Sequence, residues 1–139
     1  MHLPLILLLT LTTFSVYAGD LETKLRSALP APLDSAVIGK ASIKDLEARM
    51  GKPDLVEGDK RYWIKNGVKY AVVLTFKKEK LSSIHYTFTE EKPSLESVYK
   101  DINQSKLEPY NTRYLIHRSP SSDVVIDPDS KKIYSVRIR

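Results

Sequence analysis

The pattern of apolar and polar positions over residues 42–87 returns, without a gap, 52 residues later over 94–139. Tyr62-Trp63-Ile64 falls on Tyr114-Leu115-Ile116, and the run from Val72 to Ile84 falls on the run from Val124 to Val136. Nine of the 46 aligned positions are identical: Ser42, Leu55, Arg61, Tyr62, Ile64, Val72, Val73, Lys80 and Ser83. Others exchange one aliphatic residue for another, as Leu46/Val98 and Ile84/Val136 do. What returns is mostly apolar, so the repeat encodes a core and not a chemical site. A period of this size marks one supersecondary unit used twice.

Each unit reads as a helix, a loop and three strands. In the first, Ser42 caps a helix lined on one face by Ile43, Leu46 and Met50. Asp45 completes an approximate capping box, Gly51 supplies the left-handed residue past the end, and Pro53 prevents continuation. Strands are expected over 61–65, 70–77 and 80–89, with Asn66-Gly67 as a type I′ hairpin turn. In the second unit the pattern predicts a helix over 94–103, faced by Leu95, Val98 and Ile102, and strands over 113–118, 123–127 and 131–139. Connections this short make the strands antiparallel. The fold class is therefore α+β: two tandem helix–three-strand repeats, with helices packed on one face of an antiparallel sheet. Residues 20–29 form a further short helix, with Leu21, Leu25, Ala28 and Leu29 on one side, and Pro30-Ala31-Pro32 ends it in a stiff linker. Segment 19–41 is expected to sit as an appendage on a single domain covering 42–139.

The first 18 residues carry no Asp, Glu, Lys or Arg, and Val16-Tyr17-Ala18 has the small-x-Ala form of a cleavage site. The apolar run is too short for a membrane span, so residues 1–18 read as an export signal cut after Ala18. The mature chain is expected in the periplasm or outside the cell. It contains no cysteine, so it is neither a lipoprotein nor held by disulfides, and about 120 residues suffice for a core that stands alone. The signal holds none of the counted charges, and the mature chain keeps the net charge of +5. Export argues against nucleic acid as the partner of that charge and favours anionic lipid headgroups or an acidic protein face. The densest cluster is the strand turn Lys77, Lys78 and Lys80, echoed at Lys131 and Lys132. Such lysines also serve simply to keep strand edges soluble.

The stretch from Ser42 to Trp63, with its Gly51-Lys52-Pro53-Asp54 bend, and the strands from Val72 to Tyr86 resemble the SmpA/OmlA, or BamE-like, pattern. Two such units in tandem resemble the arrangement of the β-lactamase inhibitor protein. The resemblance implies one curved sheet of paired helix–strand repeats. It also implies inhibition of a secreted hydrolase or, from single-unit members, help in outer-membrane protein assembly. The second unit departs from the pattern: Gly51, Pro53 and Asp54 become Asn103, Ser105 and Lys106, and Phe76 becomes Pro128, which ends a strand early.

Nothing in the sequence proposes catalysis. The mature chain has two histidines, His85 and His117, and no serine in a nucleophile-elbow context. His85 alternates away from Ile84 and Tyr86 and reads as a solvated strand residue. Asp127-Pro128-Asp129-Ser130 reads as a β-turn, lacking the glycine and glutamate of a calcium loop. No cofactor or metal is expected. The aromatic residues point instead to a protein interface. Tyr62 and Tyr114 recur in register as packed positions, which sends Trp63 to the open face unless the N-terminal helix covers it. Either Val73 and Thr75, or Val72, Leu74 and Phe76, then form the outward set. Trp63 with Arg61, Lys69 and Tyr70 makes a candidate anchor, since Trp, Tyr and Arg dominate interface hot spots. The function expected is a non-enzymatic protein-binding module, an inhibitor of a secreted hydrolase. The alternative is an envelope accessory protein that binds membrane proteins or anionic lipid through its lysine turns. Oligomeric state is left open.

Overall fold

The computed structural model describes residues 20–139, so the export signal expected over 1–18 lies outside the described residues. Among the described residues two α-helices come first, α1 (Asp20–Ser27) and α2 (Ile43–Met50). They are followed by β1 (Leu55–Glu57), β2 (Lys60–Lys65), β3 (Val68–Lys77) and β4 (Lys80–Thr87). Three 3₁₀ turns (Leu95–Ser97, Tyr99–Asp101 and Gln104–Lys106) lead into β5 (Glu108–Pro109), β6 (Leu115–Arg118), β7 (Ser122–Asp127) and β8 (Lys132–Ile138). All eight strands lie in one antiparallel sheet, in the order β1-β2-β3-β4-β8-β7-β6-β5. Two four-strand halves thus meet at a β4–β8 seam, in which His85 faces Arg137, 52 residues away.

This corrects the expected fold. Each half contributes four strands and not three, and the helix expected over 94–103 is absent, replaced by the 3₁₀ turns. The BamE-like and β-lactamase-inhibitor arrangements, which need one helix per unit, do not describe this chain. The physical reason lies in composition. Helix α2 is built from Lys44, Leu46, Glu47, Ala48, Arg49 and Met50, all good helix formers. Its counterpart offers Ser97, Val98, Tyr99 and Asp101, which are poor ones, and an eight-residue helix has no length to spare. The apolar positions survive the change of backbone. Val98 and Ile102 are as buried as Leu46.

The two halves begin alike. Ser42 bridges Lys80 and Ser94 bridges Lys132. The amides of Ile43 and Leu95 donate to the Glu79 and Lys131 carbonyls (3.2 and 2.9 Å), and those of Leu81 and Ile133 to the Ala41 and Pro93 carbonyls (2.7 and 2.9 Å). Ser82 and Tyr134, again 52 apart, are the bulged residues where the β3–β4 and β7–β8 registers shift. Strand β7, however, departs from the ungapped alignment. Thr75 faces Ser83, but it is Val125, not Asp127, that faces Ser135. Lys77 and Lys80 close a two-residue turn, whereas Asp127 and Lys132 close a four-residue one, and the longer loop slides β7 along β8. A slip of two returns every side chain to its own face.

One face of the sheet forms the core. Trp63, Val72, Leu74, Phe76, Ile84, Val124, Ile126, Val136 and Ile138 pack with Leu25 and Leu29 of the α1 segment, Leu46 of α2, and Val98 and Ile102. Segment 19–41 is therefore no appendage: Leu25 is fully buried, and Lys24 pairs with Asp101 at 2.9 Å. Leu25→Ala should lower stability to urea by about 3 kcal/mol, in the range of core truncations that leave a cavity. A loss below about 1 kcal/mol, as for a surface position, would show that α1 is peripheral to the cooperative unit.

Candidate functional site

Among the described residues the other face of the sheet carries no helix, and a row of side chains crosses it on paired strands. Tyr62 of β2 faces Val73 of β3, which faces His85 of β4. His85 faces Arg137 of β8, then Asp123 of β7, then Arg118 of β6. The neighbouring rows hold Lys60, Thr75 and Ser83 on one side and Thr87, Ser135, Val125 and Ile116 on the other. Two adjoining depressions of about 370 and 210 Å³ open here, and His85, Tyr110, Ser135 and Arg137 line both. Aromatic rings stand around them. Tyr62 and Tyr70 lie 5.9 Å apart with the Lys69 ammonium near both, and Tyr134 stacks on Tyr114 at 4.4 Å. The bulge on β8 puts Tyr134 there, as bulges re-aim side chains. Tyr110 reaches in from the 110–114 loop, which its own amide closes onto the Tyr114 carbonyl at 2.9 Å.

Trp63 is not on this face, which corrects the expected anchor. It is 6% exposed, sits opposite Val72 on the core side, and donates its indole N–H to the Gly51 carbonyl at the end of α2, at 3.2 Å. Arg61 shares that side, with its guanidinium 3.8 Å from Glu47 of α2. Tyr62 takes the place assigned to Trp63. A strand read one residue out of phase exchanges every inward and outward position, and the expectation for β2 was out of phase in this way. Lys69 and Tyr70 do lie at the bare face, and Tyr70 is 54% exposed.

The five turn lysines, Lys77, Lys78, Lys80, Lys131 and Lys132, are all exposed but do not form one patch. Ile84 pairs with Ile138 and Thr87 with Ser135, so Lys80 and Lys132 lie at opposite ends of the seam. At about 3.3 Å per residue they are roughly 30 Å apart. Beside Lys132, Asp127 binds the amides of Asp129 and Ser130 at 3.0 and 3.4 Å, so its carboxylate shapes the turn. Burial pulls the Asp127 pKa up, but those hydrogen bonds and Arg113 outweigh it and hold the group below its ordinary value.

His85 is not a solvated histidine. Its Nε2 lies 3.4 Å from the Thr87 hydroxyl, and that hydroxyl donates its proton to the Tyr70 carbonyl at 3.2 Å. The Thr87 oxygen is thus left to accept from Nε2–H, which makes Nδ1 the bare nitrogen. Nδ1 is buried without a partner. Protonating it would place an unsatisfied cation beside Arg137, and burial first, then that guanidinium, bring the pKa down from 6.5 to about 4. His117 lies on the core side, where Nε2 accepts the Asn103 amide at 3.3 Å. Burial and Lys106 lower its pKa against the upward pull of Asp123.

Arg137 is exposed, and its side chain makes no hydrogen bond or ion pair among the described residues. Its cross-strand carboxylate is already engaged: Arg139 holds Asp123 with two hydrogen bonds, of 2.9 and 3.0 Å. Sequence reasoning passes over His85, Arg137, Asp123 and Tyr110 as site residues. A signal for two of them, His85 and Arg137, is present, since with Thr75, Ser83 and Ser135 they are the polar set that alternates with apolar neighbours on β3, β4 and β8.

No known family profile matches the chain, and no curated protein does. Among solved structures it is similar to a DUF4309 family protein (YjgB) from Bacillus subtilis, at 16% identity and a TM-score of 0.55, over 90% of this chain and 95% of that one. At that identity the likeness concerns the fold alone. A cysteine-rich secretory protein from Staphylococcus aureus overlaps at a TM-score of 0.47 and 18% identity, over 72% of this chain and 43% of that longer one, which is too loose to carry an argument. The DUF4309 likeness gives no support to the SmpA/OmlA or β-lactamase-inhibitor type, and with a single sheet and no second repeat helix the sequence resemblance is overturned.

The His85 environment predicts a pH dependence. Its pKa is lower folded than unfolded, so the unfolded chain takes up the proton first. Stability is then full above pH 6.5, falls as pH drops from 6.5 toward about 4, and levels off below that. The shift corresponds to roughly 3 kcal/mol. His85→Gln should remove that part of the acid destabilisation, measured as the change in urea midpoint between pH 7 and 4.5. An unchanged slope would mean that His85 is not held neutral by the fold.

Proposed function

We propose that this chain is an exported, non-enzymatic binding module that holds a protein partner against the bare face of its sheet. One observation carries the reading. Among the described residues the centre of an eight-stranded sheet is left without helical cover and is lined by tyrosines, an arginine without an ion-pair partner and short hydroxyl side chains. Tyrosine and arginine are the residues in which binding energy concentrates at protein interfaces, and a broad shallow face suits a macromolecule. The histidines support a role without catalysis: His85 is kept neutral by burial and repulsion, and His117 lies on the opposite side. Export rests on the uncharged apolar run over residues 1–18. Inhibition of a hydrolase was an inference from the overturned resemblance, and the proposal here is protein binding in general. The alternative of an anionic lipid surface finds its lysines divided between two ends of the sheet.

The test is affinity capture from an extract of the source cells, compared across variants. Tyr70 and Tyr110 are 54% and 47% exposed, so replacing both leaves the fold intact. The double change Tyr70→Ala with Tyr110→Ala should weaken retention of a stoichiometric protein partner by at least about tenfold, as for two hot-spot residues. Lys77→Ala with Lys78→Ala should leave it unaltered. The reverse pattern, loss with the lysine variant and none with the tyrosine variant, would replace the bare face by the turns.

A further inference from the structure

We propose that Arg137 is a carboxylate-receiving subsite at the centre of the bare face, which takes an Asp or Glu side chain of the protein partner. The inference rests on the binding-module reading and names the chemistry of its anchor point. Four observations lead to it. Arg137 sits where the two depressions meet, so a group bound there is reached from both. Its guanidinium has no partner among the described residues, although a carboxylate lies directly across the strand pair. That carboxylate is taken out of play by Arg139, which grips both of its oxygens, and Arg118 adds a contact at 4.0 Å. On the other side stands His85, a ring with no charge to offer an anion at neutral pH.

This arrangement selects the charge and shape of what binds. A guanidinium presents a planar fork that matches the two oxygens of a carboxylate. A phosphate would fit the fork too, but its second negative charge would approach Asp123, whose arginine partners are already engaged. A single negative charge is therefore the better match. Tyr110, which lines both depressions beside Arg137, supplies apolar surface for the stem of an Asp or Glu side chain and a hydroxyl at its rim.

Binding there has a signature that surface screening lacks. The titratable and charged groups that line the two depressions with His85 are Arg137 and Tyr134 on β8, Asp123 on β7, Arg118 on β6, Lys60 and Tyr62 on β2, Tyr70 on β3, and Tyr110 from the loop. Of these, Arg137 is the one that raises the cost of protonating His85. A carboxylate seated on Arg137 offsets that repulsion, so His85 becomes easier to protonate. By reciprocity, a proton on His85 then strengthens the hold on the carboxylate.

The experiment is an NMR titration of the protein with acetate, the simplest Asp-side-chain analogue, at constant ionic strength, with sodium chloride and inorganic phosphate as parallel arms. At pH 6.5, acetate should produce a saturable shift of the Arg137 Nε–H resonance, chloride none, and phosphate a weaker one than acetate. In the presence of trifluoroacetate, a carboxylate that stays ionised where His85 titrates, the His85 ring titration should move upward from about 4. Arg137→Gln should abolish the saturable shift, and Arg137→Lys, which keeps the charge but loses the fork, should weaken it about tenfold. Equal responses to acetate and chloride would overturn the subsite, as would tighter binding of phosphate, or a His85 titration indifferent to trifluoroacetate. The two readings fail separately. A captured partner that survives Arg137→Gln leaves the binding module standing and sinks the subsite. Acetate binding at Arg137 without any face-dependent partner does the opposite.

Discussion

The β4–β8 pairing is the constraint on which the rest of the molecule depends. Each half has one long hairpin, β3–β4 or β7–β8, and a shorter pair of strands beyond it. Neither half alone covers enough apolar surface for a stable layer of three turns and two short helices. Joined through Ile84↔Ile138 and Tyr86↔Val136, the halves make one sheet whose core face is continuous across the seam. The same four residue pairs set the opposite face, because alternation along the strands leaves no freedom. His85 and Arg137 are adjacent there for the reason that Ile84 and Ile138 are adjacent underneath. The position of the site and the integrity of the core are thus two outcomes of a single register.

Much of this was legible in the sequence. Ser42 receives the Asp45 amide at 3.1 Å, Gly51 ends α2 at φ 84°, and Asn66 and Gly67 both have positive φ as a type I′ turn requires. These are local matters, decided by a few neighbouring residues. What misled was tertiary. The repeat by itself leaves the face of Trp63 open, yet the Asn66-Gly67 turn already contains it. A two-residue hairpin pairs Lys65 with Val68, which puts Trp63 on the same side as Val72, Leu74 and Phe76. That set is wholly apolar, while the Val73–Thr75 set is mixed, so the tryptophan belongs with the core. The irregularity between Trp63 and Lys65 shifts the register by two and leaves Trp63 opposite Val72, while it turns Tyr70 to the bare face against the alternation that Val72 would set.

Other features were not legible because the ungapped match conceals them. The extra turn residues at 128–131 slide β7 by two positions, and a slip of two leaves an apolar pattern looking unchanged. The missing second helix is hidden for a related reason. Leu95, Val98 and Ile102 keep a helical spacing because they must still point into the core, whether the backbone between them is α or 3₁₀. Strands β1 and β5 are too short, at three and two residues, to carry a period at all. The pairing of Asp123 with Arg139 joins a residue of β7 to one just past the end of β8 and could not be read from either segment alone.

The seam has a consequence for how freely the two halves can vary. The pseudo-twofold axis passes through the pair formed by residues 85 and 137, so this is the one place on the seam where a position lies directly against its own counterpart. Elsewhere on β4 and β8 a residue and its copy are offset along the two strands, and on the outer strands they are separated by the strands between. Here a repeated lysine, arginine or aspartate would face an identical charge at cross-strand distance, which is destabilising. Perfect internal symmetry is therefore compatible with this fold only if the axial residue is uncharged. A chain that places an arginine on the axis must make its two halves unequal, beginning at that residue.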